Sequence, residues 1–339
     1  MDSNGLHRPR VVALIAAHNE EEHLAHTLAS LQAQTRPADR VLVMADNCTD
    51  ATVEIPRACG VEVVETRDNH ARKAGALNQG YALLADDGFD YLLQLDADTE
   101  VTPGFIEAAL VELEAEQKLA GVCARFFPKY RAGLLGALQR LEYARYDHAR
   151  MRHGGRVSVL SGTAAVLRAA ALPSTPWSEE SLVEDYVLTL DLRRRGWNVR
   201  AGKNMIAYTD SMPTLAALWR QRIRWTRGTL EELSREGWKP WTRTDILAHL
   251  GIAAAILIRF AWLAGLIIAA VHGHMAWSPF WLAPLALVLV EGLISTRRLN
   301  RRDRILALLV IPEELYGMLR HAWTCKAAIL ALAGNQTTW

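Results

Sequence analysis

Two carboxylates one residue apart, in Asp96-Ala97-Asp98, close a short apolar run at residues 91–95. Asp96 and Asp98 offer hard oxygen donors suited to Mg²⁺ or Mn²⁺, ions that keep part of their water shell and coordinate substrate phosphates. The competing reading is a helix cap at Asp98 or Thr99. A second acidic pair, Glu184 and Asp185, stands just ahead of an apolar helical stretch at 186–192. A carboxylate in a partly dry cleft can act as a general base once its pKa rises toward the working pH. Acidic residues also favour the first turn of any helix. Gln221, Arg224 and Trp225 fall at i, i+3 and i+4, so one helical face carries an amide, a guanidinium and a flat apolar plate. That set suits a diphosphate and a sugar ring, while Arg220, Arg222 and Arg227 could meet anionic lipid from the same helix. Lys73, Gly75 and Asn78 open another helix, where a mobile cation and free N–H groups can receive a phosphate. Taken alone, Lys73 reads equally as a solvated surface residue. Asp46 either forms a turn with Asn47 or accepts hydrogen bonds from a nucleobase.

The elements that must position these groups alternate. Apolar runs at 10–17, 40–45, 61–65 and 91–95 read as buried strands, and 20–34, 49–59 and 70–84 as helices between them. Continuous apolar strands joined by helices predict parallel βαβ units with helices on both faces. Such sheets bind ligands beyond the carboxyl ends of their strands. The polar clusters lie there: His18-Asn19-Glu20 after the first strand, Asp46-Asn47 after the second, Asp96 to Asp98 after the fourth. No G-x-G-x-x-G follows the first strand and no P-loop occurs; Gly75 and Gly80 have the P-loop spacing, but Tyr81 stands where lysine is required.

Of the 339 residues, 50% are hydrophobic and the net charge is +1, which excludes disordered and disulfide-stapled classes and gives no reason to expect nucleic acid as partner. The average conceals a division. From Asp210 onward the net charge is +6, against −5 before it, and all 11 tryptophans lie at Trp177 or later. Cys48, Cys59, Cys123 and Cys325 show no metal-site spacing and read as small buried thiols in a reducing compartment. The polar stretch 1–9 carries no apolar core, so no signal peptide is expected.

Residues 246–271 would span about 39 Å as a helix, more than the hydrocarbon core, with Arg259 their one full charge. A second apolar run, 276–290, extends to 295 if Glu291 is tolerated, and four residues join the two as a hairpin. Arg235, Lys239 and Arg243 precede it and Arg297, Arg298, Arg301, Arg302 and Arg304 follow. That pattern places both outer ends, and the N-terminal domain, in the cytosol. Trp262, Trp277 and Trp281 suit the bilayer interface, and residues 305–333 read as a third kinked span or a pair of interfacial helices. The division expected is a tail (1–9), a catalytic domain (10–212), interfacial helices (213–245), a membrane hairpin (246–295) and a basic loop with a third segment (296–339).

The ordered motifs A-A-H-N-E-E (16–21), A-D-N-C-T-D (45–50), K-A-G-A-L-N (73–78), D-A-D (96–98), S-G-T (161–163), V-E-D (183–185) and Q-R-I-R-W (221–225), followed by apolar helices, resemble the membrane-bound family 2 glycosyltransferases. Cellulose, chitin, hyaluronan and poly-N-acetylglucosamine synthases belong to that family. The resemblance implies the α/β GT-A nucleotide-sugar-binding fold with a mostly parallel sheet, followed by a C-terminal α-helical membrane region. It implies that Ala17, His18, Asn19, Glu20 and Asp46 hold a uridine and that Lys73 and Asn78 lie near the nucleotide. Asp96 and Asp98 match the donor- and metal-binding pair. Asp185, with Glu184, matches the catalytic base motif, usually T-E-D in the family and here led by Val183. Ser161, Gly162 and Thr163 would line the acceptor site, Gln221 and Arg224 would contact the diphosphate, and Trp225 would stack on the acceptor sugar.

The implied reaction is a single inverting displacement from a nucleotide-sugar donor to a glycan or lipid-linked acceptor at the cell membrane. A two-helix hairpin cannot by itself enclose a polar sugar channel in lipid, so addition of one or a few sugars is expected. The alternative is a processive synthase that builds its channel as a homo-oligomer. A reading of another class, a non-catalytic nucleotide-sugar sensor or scaffold, predicts loss of Asp185 or of one D-x-D carboxylate, and all three are present.

Overall fold

A computed structural model describes residues 8–273 and 283–334. The chain divides into two compact units, one made of Met1–Arg131 and Tyr146–Ser211, the other of Ala132–Arg145 and Met212–Trp339.

The first unit is built on one eight-stranded sheet. Along the chain it contains β1 (Val11–Ala17), α1 (Leu24–Gln32), β2 (Arg40–Ala45), α2 (Glu54–Ala58), β3 (Glu62–Glu65), α3 (Arg72–Leu84), β4 (Tyr91–Asp96), β5 (Glu100–Val101), α4 (Phe105–Ala115) and β6 (Leu119–Pro128). The helix α5 (Gly133–Arg152) is divided between the units, and β7 (Ala164–Arg168), α6 (Glu184–Arg194) and β8 (Asn198–Thr209) complete the first. The strand order is β3-β2-β1-β4-β7-β6-β8-β5. β1 to β4 are mutually parallel, β6 and β8 run parallel to each other, and β7 and β5 are antiparallel to their neighbours. The sheet is therefore mixed but mostly parallel.

Strand alternation feeds two cores. Val11, Ala13 and Ile15 pack with Leu24 and Leu28 of α1 and with Phe105, Ile106 and Leu113 of α4. Val12 and Leu14 face the other way, onto Leu77 and Leu84 of α3 and Leu188 and Leu192 of α6. α3 lies close to the sheet because Gly80 permits it: a Cβ there would stand 2.5 Å from Leu14 Cδ1 and 2.7 Å from Met44 Cγ. The P-loop-like spacing of Gly75 and Gly80 is thus a packing feature.

Three helices are shorter than the sequence predicts, α3 by two residues at its start. α1 starts at Leu24 because the Glu20 and Glu21 N–H groups donate to Thr52 Oγ1 and Asp50 Oδ2. α2 shrinks to five residues because Thr49 N donates to Asn19 Oδ1 and Thr52 N to Asp50 Oδ1. In α1 and α2, side-chain acceptors compete with the helix for backbone N–H groups. The thiols also differ from expectation. All four are free; Cys123 is buried, Cys48 and Cys59 half-buried, and Cys325 exposed.

The second unit is helical: α7 (Leu215–Glu236), α8 (Arg243–Val271), α9 (Ala283–Ser295), α10 (Arg301–Leu308) and α11 (Val310–Leu332). Its core joins Leu138, Leu141, Leu218, Ile223, Tyr316, Trp323 and Ala327. Among the described residues α8 is the one helix long and apolar enough to cross a membrane. Its Leu257, Ile258, Ile267 and Val271 are exposed. The charges that are costly in lipid have partners: Arg259 pairs with Glu314, and Glu291 lies 3.6 Å from Arg145. The 305–333 segment breaks at Leu309 into α10 and α11, and Pro312 sits in the first turn of α11, where its missing N–H costs nothing. Half of the expected four-residue link between the apolar runs lies outside the described residues, as do Trp277 and Trp281 and most of the tail 1–9.

Candidate active site

The polar groups of the first unit gather beyond the carboxyl ends of β1, β2 and β4. Asn19 and Asn47 take left-handed backbone conformations there, with φ of 55° and 49°, which asparagine tolerates better than most residues. Ala17, at the end of β1, is buried and accepts the Asp46 N–H at 2.8 Å. His18 Nδ1 lies 2.6 Å from the Asp46 carbonyl, so that nitrogen carries the proton and donates. Asp46 is buried, and its Oδ1 accepts from Thr66 Oγ1 and Asn69 Nδ2, both at 2.8 Å, and from Asn47 Nδ2 at 3.0 Å. Oδ2 accepts nothing among the described residues, so the carboxylate is oriented with one oxygen open. Gly75 makes room for Asn69, whose Oδ1 would stand 2.1 Å from a Cβ at that position.

Lys73, in the first turn of α3, is neither a free phosphate ligand nor a solvated surface residue. Its Nζ lies 2.5 Å from Asp96 Oδ1 and 3.6 Å from Glu184 Oε1. Burial works against its charge, yet Asp96 and Glu184 overcome that and hold the ammonium pKa above its ordinary value. Burial lifts Asp96 to about 6, with Lys73 opposing and Asp98 assisting. Asp98 leads through a turn into β5, and no helix starts until Phe105, so neither Asp98 nor Thr99 caps a helix. Asp98 Oδ1 accepts from Thr99 Oγ1 at 3.0 Å and Thr209 Oγ1 at 3.4 Å. Burial lifts Glu20 to about 7, assisted by the charges of Asp98, Asp96, Asp210 and Asp50.

Glu184 and Asp185 do open α6, as their helix-start chemistry allows. The Asp185 carboxylate is nevertheless tied into the site: Oδ2 accepts the Gly162 N–H at 3.1 Å and Oδ1 its neighbour Tyr186 N–H at 2.8 Å. Burial, reinforced by Glu184, pushes its pKa up to about 6 against the pull of Lys73 and both N–H groups. Ser161 Oγ donates to Thr163 Oγ1 at 3.1 Å, and the Thr163 carbonyl accepts the Asp96 N–H at 3.0 Å. The S-G-T loop is therefore bonded to one member of each acidic pair.

Asn78 is engaged elsewhere. Its Nδ2 donates to the Trp177 carbonyl at 2.8 Å and to Glu179 Oε1 at 3.0 Å, and its Oδ1 accepts the Trp177 N–H at 3.1 Å. It fastens the segment before α6.

In the second unit, Gln221, Arg224 and Trp225 lie on α7 away from its buried stripe, the first two half-buried and Trp225 exposed. Arg222 and Arg227 do not reach outward to lipid as one reading allowed. Arg222 is buried and pairs with Glu142 at 2.9 Å, and Arg227 is buried and pairs with Glu231 at 2.6 Å. Arg222 also lies 4.6 Å from the Trp225 ring centre.

Comparison with known proteins agrees with this geometry. The family described as "Glycosyltransferase like family 2" matches residues 9–228. The chain belongs to that family. It is 27% identical over 234 residues to a poly-beta-1,6-N-acetyl-D-glucosamine synthase of Staphylococcus aureus, a match covering 67% of this chain and 56% of the relative. The synthase of the same name from Staphylococcus epidermidis is 25% identical over 239 residues, covering 66% and 56%. The chain thus spans a little over half the length of these curated relatives. A mannosyltransferase from Pyrobaculum calidifontis, solved with GDP-Man and Mn²⁺, shares the fold at 17% identity and a TM-score of 0.61, covering 96% of this chain and 88% of its own.

As a family 2 glycosyltransferase, the chain has a site containing residues that its motifs do not single out. Thr66 and Asn69 orient Asp46, and Thr209 reaches Asp98. Gln94 and Trp177 lie beneath the S-G-T loop. Gln94 had a visible signal, a lone amide in the buried strand YLLQLD; Thr66 and Asn69 had none, being ordinary turn residues.

Proposed function

We propose that the chain transfers a sugar from a UDP-sugar to a hydroxyl of a glycan or lipid-linked acceptor, with inversion at the anomeric carbon. One observation carries the reading: the S-G-T loop donates an N–H to Asp185 while its next carbonyl takes the Asp96 N–H, so base and donor-side carboxylate share one support. Asp185 takes the proton of the acceptor hydroxyl as that oxygen forms the new bond to the anomeric carbon, and the bond from that carbon to the diphosphate breaks. Ala17, His18, Asn19, Glu20 and Asp46 form the nucleoside side, with Asp46 Oδ2 accepting from the base. Ser161, Gly162 and Thr163 form the acceptor side. For Gln221 and Arg224 at the diphosphate and Trp225 at the acceptor sugar, the support is their shared helical face and the motif.

The residues fit a divalent cation of the kind that keeps its waters. Among the described residues no three His, Cys, Asp or Glu side chains form a ready-made cage. Asp98, with Asp96 beside it, would supply one or two oxygens and leave the other positions to water and diphosphate. Mg²⁺ or Mn²⁺ held there supplies charge stabilisation to the departing diphosphate.

The same reading places α8 in the cell membrane, with the catalytic unit cytosolic and the basic residues on either side of the apolar runs on that face. The experiment is a panel of UDP- and GDP-sugars scored for metal-dependent nucleotide release by wild type and Asp185→Asn. Release by wild type alone supports the assignment; wild-type turnover by the variant refutes it. The relatives' names favour a second reading, polymer synthesis, and a high-mass product ladder from labelled donor would select it over short products.

A further inference from the structure

Gln94 is a buried amide in the middle of the sheet, 2% exposed, with a fully apolar residue on either side of it in β4. An amide in that setting costs stability unless its donor and acceptor are both used. Both are. Gln94 Oε1 accepts the indole N–H of Trp177 at 3.0 Å, and Gln94 Nε2 donates to the Gly162 carbonyl at 3.3 Å. Trp177 is 1% exposed and packs edge-on against Tyr81, with ring centres 6.1 Å apart. Its backbone N–H and carbonyl are both held by Asn78 of α3. Gly162 passes the connection on, since its N–H donates to Asp185 Oδ2. The space above Gln94 is full: a Cβ on Gly162 would stand 2.6 Å from Gln94 Nε2, 3.2 Å from Lys73 Nζ and 3.6 Å from Asp185 Cβ.

Asn78, Trp177, Gln94 and Gly162 therefore form one chain of contacts running from α3 through the sheet to the carboxylate that opens α6. We propose that Trp177 and Gln94 are positioning residues of the transfer reaction, which hold the Gly162 peptide where its N–H fixes the Asp185 carboxylate. This rests on the reading of Asp185 as the base. Neither side chain needs to touch substrate. Gln94 sets the height of the Gly162 peptide over the sheet, and Trp177 sets the orientation of Gln94. A carboxylate carried on an unfastened peptide would still be present but displaced, and a displacement of about 1 Å can cost on the order of a hundredfold in rate.

The test uses the full chain and three variants. Trp177→Phe keeps an aromatic ring and removes the indole donor; Gln94→Met keeps the length and removes both amide bonds. Leu92→Ala is the control, a cavity two residues away on the same face of β4 and in the same core as Trp177. Nucleotide release from a UDP-sugar gives kcat and donor KM, UDP binding gives Kd, and thermal unfolding gives Tm. The expected result is a kcat lowered roughly ten- to hundredfold in Trp177→Phe and Gln94→Met, with donor KM and UDP Kd within about twofold of wild type. Leu92→Ala should lose Tm and keep kcat. Wild-type kcat in both network variants, with Asp185→Asn inactive, overturns the proposal and leaves the base assignment standing. A kcat loss in Leu92→Ala matching theirs also overturns it, because the effect would then be loss of packing. An active Asp185→Asn refutes the base assignment itself. If Trp177→Phe does not fold, Gln94→Met against Leu92→Ala decides by the same criteria.

Discussion

Replacing Lys73 by methionine separates two accounts of that residue. If Lys73 serves only a donor phosphate, its loss raises donor KM and leaves the ligand-free protein as stable as before. The structure indicates otherwise, since its Nζ lies 2.5 Å from Asp96 and 3.6 Å from Glu184. Removing one partner of a buried ion pair costs about 3–5 kcal/mol. The Lys73 side chain is 35% exposed and that of Asp96 29%, so solvent screening reduces the figure to about 2 kcal/mol. For a domain of 150–250 residues that corresponds to roughly 4–8 °C in Tm. The loss should depend on pH. Asp96 already has a folded-state pKa of about 6, above its ordinary 3.8, so the folded protein holds a proton there that the unfolded chain releases between those values. This site's contribution to stability therefore falls as pH rises through that window. Without Lys73 the folded pKa rises further, and the penalty grows as pH passes 6. Thermal unfolding of wild type and Lys73→Met at pH 5 and pH 8, without nucleotide or metal, should show a larger Tm difference at pH 8. Equal differences at the two values, or none, would refute the charge-neutralising role.

Asp185→Asn should lower transfer by about 10²–10⁴-fold and leave UDP affinity nearly unchanged, as read by single-turnover release and equilibrium binding. In wild type the base must be unprotonated, so kcat should rise with pH on a limb centred near 6; a rate flat from pH 5 to 8 counts against the assignment. Asp46→Ala should weaken UDP binding and narrow the difference between UDP- and GDP-sugars, because the oxygen left for the base is removed along with the acceptor of three orienting bonds. Gly80→Ala should destabilise the first unit by roughly 1–3 kcal/mol without changing donor KM, since the added methyl meets Leu14 and Met44 rather than the site.

The sheet and the two acidic pairs were legible in the sequence because both follow from one-dimensional patterns. Four apolar runs with helices between them predict parallel strands, and the observed β1 to β4 pair in that way. Strand ends then announce Glu20, Asp46, Asp96 and Asp98. Features that depend on which side chain competes for which backbone group were not legible. Thr49 to Val53 read as helix, yet Asn19 and Asp50 take the N–H groups of Thr49 and Thr52. The arginines of α7 show a second limit. A helical wheel does not say whether Arg222 and Arg227 meet lipid or carboxylates; that is set by Glu142 and Glu231. Glu142 lies far away in sequence, and no spacing rule reaches it. Trp177 shows the opposite case: a lone tryptophan in a polar stretch was visible, and only its burial against Gln94 gives it meaning.

The carboxylates at the sheet edge are not equivalent, and the inequality bears on how the site divides its work. Asp96 has an ammonium at 2.5 Å, Asp185 has two backbone N–H groups, and Asp46 has three donors on one oxygen. Among the described residues Asp98 meets two hydroxyls. A hydroxyl stabilises a carboxylate less than an ammonium does, because its dipole offsets the charge less than a full opposite charge in contact. An added cation therefore gains more beside Asp98 than beside Asp96, whose charge Lys73 already answers. The pair Asp96-Ala97-Asp98, symmetrical in sequence, is thus asymmetrical in chemistry. Asp96 is bound through Lys73 and Thr163 to the acidic helix start and the S-G-T loop, while Asp98 meets no cation among the described residues. On the proposed mechanism, that asymmetry gives one short strand end a tie to the base side through Asp96 and an open carboxylate for the donor side at Asp98.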